Sequence, residues 1–167
     1  MIRGIFQDWD ANRGNPRSQC VLVMFRMAQC CHRLPPGLRW LGWPHLAAYH
    51  VIVIWELGIE LNHKATIGPG LRLYHGTALV VHEKSVIGKN CTLRHCTTIG
   101  NRREADDVPV LGDGVEIGCN SVIIGRITVG DGAKIGAGSV VLHDVAPGDT
   151  VAGNPARKLC AGGKDSV

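Results

Sequence analysis

The sequence predicts a mainly β chain, a left-handed parallel β-helix with an N-terminal α-helical cap, and three observations carry that prediction. An aliphatic residue returns every six positions between Ile67 and Val141. A glycine often follows it directly, and the segment before the repeat switches to helical periodicity.

The aliphatic register runs Ile67, Leu73, Leu79, then Ile87, Leu93, Ile99, then Leu111, Ile117, Ile123, Val129, Ile135 and Val141. Glycine follows at Gly68, Gly88, Gly100, Gly112, Gly118, Gly130 and Gly136, and small residues sit four after at Thr77, Thr97, Ser121, Ala133 and Ser139. In a parallel β-helix each six-residue unit is a short strand plus a corner, and three units close one triangular coil. One unit cannot bury its aliphatic side chain alone, so stability comes from stacking coil on coil about 4.8 Å apart. The glycines read as corner residues with a backbone angle closed to other residues.

Taken in order, residues 1–16 are polar and mixed and read as an irregular arm. From Arg17 to Arg33, Cys20, Val21, Met24, Met27, Ala28 and Cys31 recur at three and four, the pattern of an amphipathic helix. Pro35-Pro36-Gly37 ends it. A second helical stretch spans Leu38 to Leu57, kinked or restarted at Pro44. A hairpin of these two helices would shield the open end of the first coil, as a repeat array requires.

Trp40, Trp43, Tyr49 and Trp55 make the second helix bulky. Packing in the core or in a trimer accounts for them, and a membrane-surface role for Leu38-Arg-Trp-Leu-Gly-Trp43 is the alternative.

The register breaks twice. Two extra residues enter between Val80 and Val86, and Asn101 to Pro109 is charged, lacks an aliphatic residue at 105, and reads as a loop leaving the coil. The expected division is a helical segment over 1–57, the β-helix over 58–148 with its excursion at 101–109, and a C-terminal tail over 149–167. Within that tail, Ala161 to Val167 reads as disordered.

Composition narrows the functional classes. The net charge is +4 with no Lys/Arg run, which gives no support to a polynucleotide partner. Seven cysteines without metal-ligand spacing read as reduced thiols in a cytoplasmic protein. No signal-peptide pattern opens the chain, and Leu46 to Ile54 is far shorter than the roughly 20 residues of a bilayer span.

Histidine is the candidate base, because its charge change lies near neutrality. His75 and His95 each lie two residues after an aliphatic position, and their separation of twenty is one coil plus the two inserted residues. They should stack on one edge. Continuing by eighteen places Asp113 and Asp131 in the same column. A neighbouring column, Asn101, Cys119 and Ala137, with Gly118 and Gly136 beside it, offers a flat face for an extended ligand. Arg157 and Lys158 could meet phosphates.

The repeat with its loop, Tyr74-His75-Gly76, Ile135-Gly-Ala-Gly-Ser-Val-Val141 and Ala152-Gly-Asn-Pro-Ala-Arg157 together resemble the hexapeptide-repeat acyltransferases, in particular the serine acetyltransferase type. The resemblance covers roughly residues 56–160. It implies an acetyl-CoA-dependent O-acetyltransferase working by direct transfer, with His75 as general base, Glu60 fifteen residues earlier as its orienting carboxylate, and neither metal nor covalent intermediate. It also implies a homotrimer, with CoA in the groove between two β-helices.

Two departures bear on the acceptor. Serine enzymes carry Arg-His before the loop proline, whereas Asp107-Val108 precede Pro109 here, and a carboxylate repels the carboxylate of serine. His95 stands where those enzymes usually have glutamine, as a second acceptor contact or the base itself. Both features look more like the acetyltransferases assigned to colanic acid and exopolysaccharide biosynthesis, which implies a sugar hydroxyl as acceptor. Serine O-acetyl transfer is the second reading, and a non-catalytic scaffold the third.

Overall fold

The computed structural model describes residues 2–159, so the tail expected to be disordered lies outside the described residues. The chain forms the expected parallel β-helix with helices at its N-terminal end. One face stacks β1 (Ile59–Leu61), β4 (Leu79–Val81), β7 (Thr98–Gly100), β10 (Val122–Ile124) and β13 (Val140–Val141). The second stacks β2 (Thr66–Ile67), β5 (Val86–Ile87), β8 (Val110–Leu111) and β11 (Thr128–Val129). The third stacks β3 (Arg72–Tyr74), β6 (Thr92–Arg94), β9 (Glu116–Ile117), β12 (Lys134–Ile135) and β14 (Thr150–Gly153), closed by antiparallel β15 (Ala156–Lys158).

All twelve register aliphatics are buried, none more than 7 % exposed. Each contributes roughly 1.5–3 kcal/mol by leaving water. Four of the five small residues four positions on, Thr97, Ser121, Ala133 and Ser139, are also buried, Thr77 being exposed. Ser121 Oγ and Ser139 Oγ donate to the Gly136 carbonyl at 3.0 and 2.6 Å, satisfying backbone that turns the corner.

The glycines correct the sequence reading. Those directly after the aliphatic residue do not adopt the left-handed backbone, which falls two residues later at Gly70, Gly114, Gly132 and Gly138, with Asn90 and Asn120 in equivalent places. Their constraint is close approach: a Cβ on Gly118 would lie 2.5 Å from the Ala137 nitrogen of the next coil, and one on Gly68 2.7 Å from the Gly88 carbonyl carbon. Gly118→Ala is therefore expected to cost about 1–3 kcal/mol. Gly100→Ala, where nothing lies within 4 Å, should stay within about 0.5 kcal/mol of the parent. Chemical denaturation of the two variants side by side checks this.

Residues 1–16 are not an irregular arm. A short helix α1 (Ile2–Ile5) and a 3-10 turn (Asp10–Asn12) precede α2 (Pro16–His32), whose start is fixed by Pro16 and by Asn15 accepting from the Ser18 N–H at 3.2 Å. After a turn at Pro36–Leu38 comes α3 (Arg39–Tyr49), continuous with a π-helical stretch (His50–Glu56). The two helices pack closely at Gly42, where a Cβ would lie 2.7 Å from the Cys31 Cβ.

Polar side chains of this segment take the hydrogen bonds that β2 and β3 and their flanking corners would otherwise lack. Asp8 Oδ1 accepts the Leu71 N–H at 2.9 Å, Asn12 Oδ1 accepts the Leu73 N–H at 2.9 Å, and Asn12 Nδ2 donates to the Leu71 carbonyl at 2.8 Å. Ser18 Oγ donates to the Leu73 carbonyl at 2.7 Å, Gln29 to Ala65 at 2.9 Å, and Tyr49 to Leu61 at 2.6 Å. Arg26, buried against Asp8, donates to the Ile67 and Gly68 carbonyls at 2.8 and 2.7 Å. Asp8 is thus a structural carboxylate.

Candidate active site

His75 and His95 fall where the spacing placed them, on the corner leading from the third face to the first. β3 pairs with β6 in the register Leu73 to Leu93, and the two imidazoles meet edge to face with centroids 5.8 Å apart. His75 is exposed and has a φ of 66°, a left-handed conformation that turns the chain sharply between strands. His95 is half-buried; its Nδ1 is buried and has no hydrogen-bond partner in the structure. Beside the pair, the Arg94 guanidinium lies 4.8 Å above the Tyr74 ring.

The column above the histidines differs from the one counted along the sequence. β6 pairs with β9 as Thr92 to Glu116, a step of twenty-four, so His95 is followed on its corner by Cys119 and then Ala137. The Asn101–Pro109 excursion forms no rung, and a count that treats position 105 as one slips by a face. Asp113 and Asp131 belong to the corner after the second face, where Lys89 N–H donates to Asp113 and Asp113 N–H to Asp131, each at 2.7 Å. These carboxylates hold backbone and do not meet the histidines. Asn101 likewise leaves its assigned column: β7 pairs with β10 as Ile99 to Ile123, which sets Asn101 opposite Gly125.

One edge therefore carries His75, His95, Gly118, Cys119, Gly136 and Ala137 in sequence. At its upper end Ala152 pairs with Arg157 across β14 and β15. Arg157 is exposed, and among the described residues its guanidinium donates only to the Ala156 carbonyl, at 3.0 Å. Lys158 is held by Asp149 at 2.7 Å. The short side chains leave the strip open to an extended ligand, and Arg157 sets a positive charge at its end.

Glu60 lies at the centre of β1, exposed, in register with Val80. It lines a cleft of about 570 Å³ together with His50, His82 and Asn101. Among the described residues no hydrogen bond joins its carboxylate to either histidine. The excursion loop stays at its own corner: Asp106 pairs with Lys84, and Asp107 accepts the Arg126 N–H. Sequence reasoning missed the Arg94–Tyr74 contact, although the aligned positions after Leu73 and Leu93 would have revealed it.

Among the described residues no group of acidic, histidine or cysteine side chains is arranged to hold a metal ion. None of the described helices is long and apolar enough to cross a membrane.

Residues 109–143 match the family model "Bacterial transferase hexapeptide (six repeats)". The chain is 39 % identical over 131 residues to the Escherichia coli K12 protein named "Putative colanic acid biosynthesis acetyltransferase WcaB", covering 75 % of this chain and 80 % of that protein. Soybean serine acetyltransferase complexed with serine superposes with a TM-score of 0.79 at 33 % identity, over 93 % of this chain and 68 % of that one. A serine acetyltransferase in complex with CoA gives a TM-score of 0.77 at 29 % identity, over 95 % and 69 % of the respective chains.

Proposed function

Since the chain belongs to the hexapeptide-repeat transferase family, we propose that it is an acetyl-CoA-dependent O-acetyltransferase whose acceptor is a sugar or exopolysaccharide-precursor hydroxyl. The observation that carries this reading is the continuity of one edge: a facing pair of imidazoles, then a strip of small residues, then a cation.

In this mechanism acetyl-CoA lies along Gly118, Cys119, Gly136 and Ala137, with Arg157 toward its phosphates and Lys158 as a lesser contact. His75 removes the acceptor's hydroxyl proton while that oxygen attacks the thioester carbon. The C–O bond forms, the C–S bond breaks, and the proton passes to the departing CoA sulfur. General-base assistance is worth about 10²–10⁴-fold, and holding both substrates in line contributes on a similar scale. Glu60 is assigned the role of orienting carboxylate for His75, although among the described residues no hydrogen bond joins the two within one chain, and His95 that of a contact to the acceptor.

A homotrimer completes the site. The histidines and the excursion loop occupy different corners of one prism, so a second copy of the chain is needed to bring a loop against a histidine pair. Sedimentation should give the mass of three chains, and a monomer with full activity would overturn this.

Serine transfer is the second reading, favoured by the superposition on serine-bound soybean serine acetyltransferase. The Asp107 carboxylate weighs against it, since Asp107 and Val108 stand directly before Pro109 in place of the Arg-His pair. Thiol release from acetyl-CoA, assayed with nucleotide-linked and lipid-linked sugars and with L-serine, separates the two. Turnover on sugars is expected; turnover on serine alone would refute the proposal.

A further inference from the structure

The tryptophans of the second helix are not in the core. Trp40, Trp43 and Trp55 are 69, 73 and 72 % exposed, and they are three of the four in the chain. At about 3.6 residues per turn they share one side of α3 and its π-helical continuation with Pro44, Ala47 and Val51. The buried Gly42, Tyr49 and Val53 lie opposite. A helix packed on its own domain ordinarily turns polar and charged residues outward. Here every residue on the outward stripe is apolar.

Along the two helices the charge has one sign as far as the last tryptophan, with exposed Glu56 the first carboxylate beyond it. From Ala11 to Trp55 the sequence holds no Asp or Glu. Arg33 and Arg39 stand exposed at the hairpin turn, beside exposed Leu38 and Leu41, and exposed His50 lies along the rim. An apolar cavity of about 380 Å³ lined by Cys30, Cys31 and Leu34 continues the surface past the turn.

We propose that this face docks the protein on the anionic surface of a lipid bilayer, with α3 lying in the plane of the headgroups. Indole rings suit that boundary, being apolar with one N–H donor, and uncompensated cations beside an apolar helix face complete the pattern of an interfacial helix. From Trp40 to Trp55 the stripe runs about 22 Å at 1.5 Å per residue, long enough to lie along the surface. A second copy docked through the same face answers the chemistry less well, because its Arg33 and Arg39 would meet their own like charges across the contact.

The test is flotation of the whole chain with vesicles of phosphatidylglycerol and phosphatidylcholine, compared with phosphatidylcholine alone. The protein should rise with the anionic vesicles, its tryptophan emission should shift to the blue, and about 0.5 M salt should release much of it. The triple variant W40S/W43S/W55S should lose at least about tenfold in partitioning. R33E/R39E, which leaves the indoles in place, should lose binding to anionic vesicles with an unchanged melting curve.

Wild-type protein remaining at the bottom of the gradient overturns the proposal, as does a triple variant that floats equally well. If the wild type fails to float and the triple variant sediments as a smaller assembly, the face belongs between copies of the chain. None of these outcomes reads acetyl transfer, so failure here leaves the enzymatic proposal standing.

Discussion

His75→Ala is expected to lower the rate of acetyl transfer by about 10²–10⁴-fold with little change in stability, because on the proposed mechanism it removes the general base and almost no packing. The side chain is exposed, and its ring meets that of His95 edge to face. The φ of 66° at this position favours glycine over alanine, so His75→Asn, from a residue type that tolerates the left-handed backbone, is the cleaner second variant. Both should depress kcat far more than they raise KM for acetyl-CoA, whose proposed binding strip lies further up the edge. His95→Ala is expected to raise the acceptor KM. A His75 variant with full turnover beside a dead His95 variant would exchange the roles, and two fully active variants would favour a scaffold.

Arg26→Ala is expected to destabilise the fold by about 3–5 kcal/mol, the cost of breaking a buried ion pair from one side. The guanidinium is 4 % exposed and uses all five N–H donors: two on Asp8, one on Gln29, one each on the Ile67 and Gly68 carbonyls. Truncation leaves the Asp8 carboxylate buried without its cation and two strand-edge carbonyls unpaired. For a chain of this size the melting temperature should fall by roughly ten degrees. Arg26→Lys should recover only part of the loss, since an ammonium has three donors and cannot match the fork. A change within about 0.5 kcal/mol on Arg26→Ala would show that the pair adds nothing net.

The solenoid was legible because its signal is local and repeated: each buried aliphatic such as Leu93 or Ile123 obeys the same six-residue rule. The meeting of His75 and His95 was legible for the same reason, once the two-residue insertion was counted. The Asp113 and Asp131 assignment failed at the excursion loop, because a loop that adds six residues, one repeat, to its coil looks like a rung until pairing shows that β8 stacks directly on β5.

Two further misses have different origins. Asp8, Asn12 and Ser18 meet backbone some 55–63 residues away, and no periodicity encodes such contacts. The sequence reads the outward tryptophans first as core or trimer packing, with a membrane surface as the alternative, because bulk normally signals burial and a helix pattern alone does not say which side faces the coil.

The polar side chains laid across β2 and β3 have a consequence for assembly. A stack of identical coils has no intrinsic length: its last rung is always a template for another. By occupying the groups that would recruit that rung, Asp8, Asn12, Ser18 and Arg26 act as a chain terminator, and a chain stripped of its first 57 residues should pair by that bared end with another copy, while β15 still closes the opposite end.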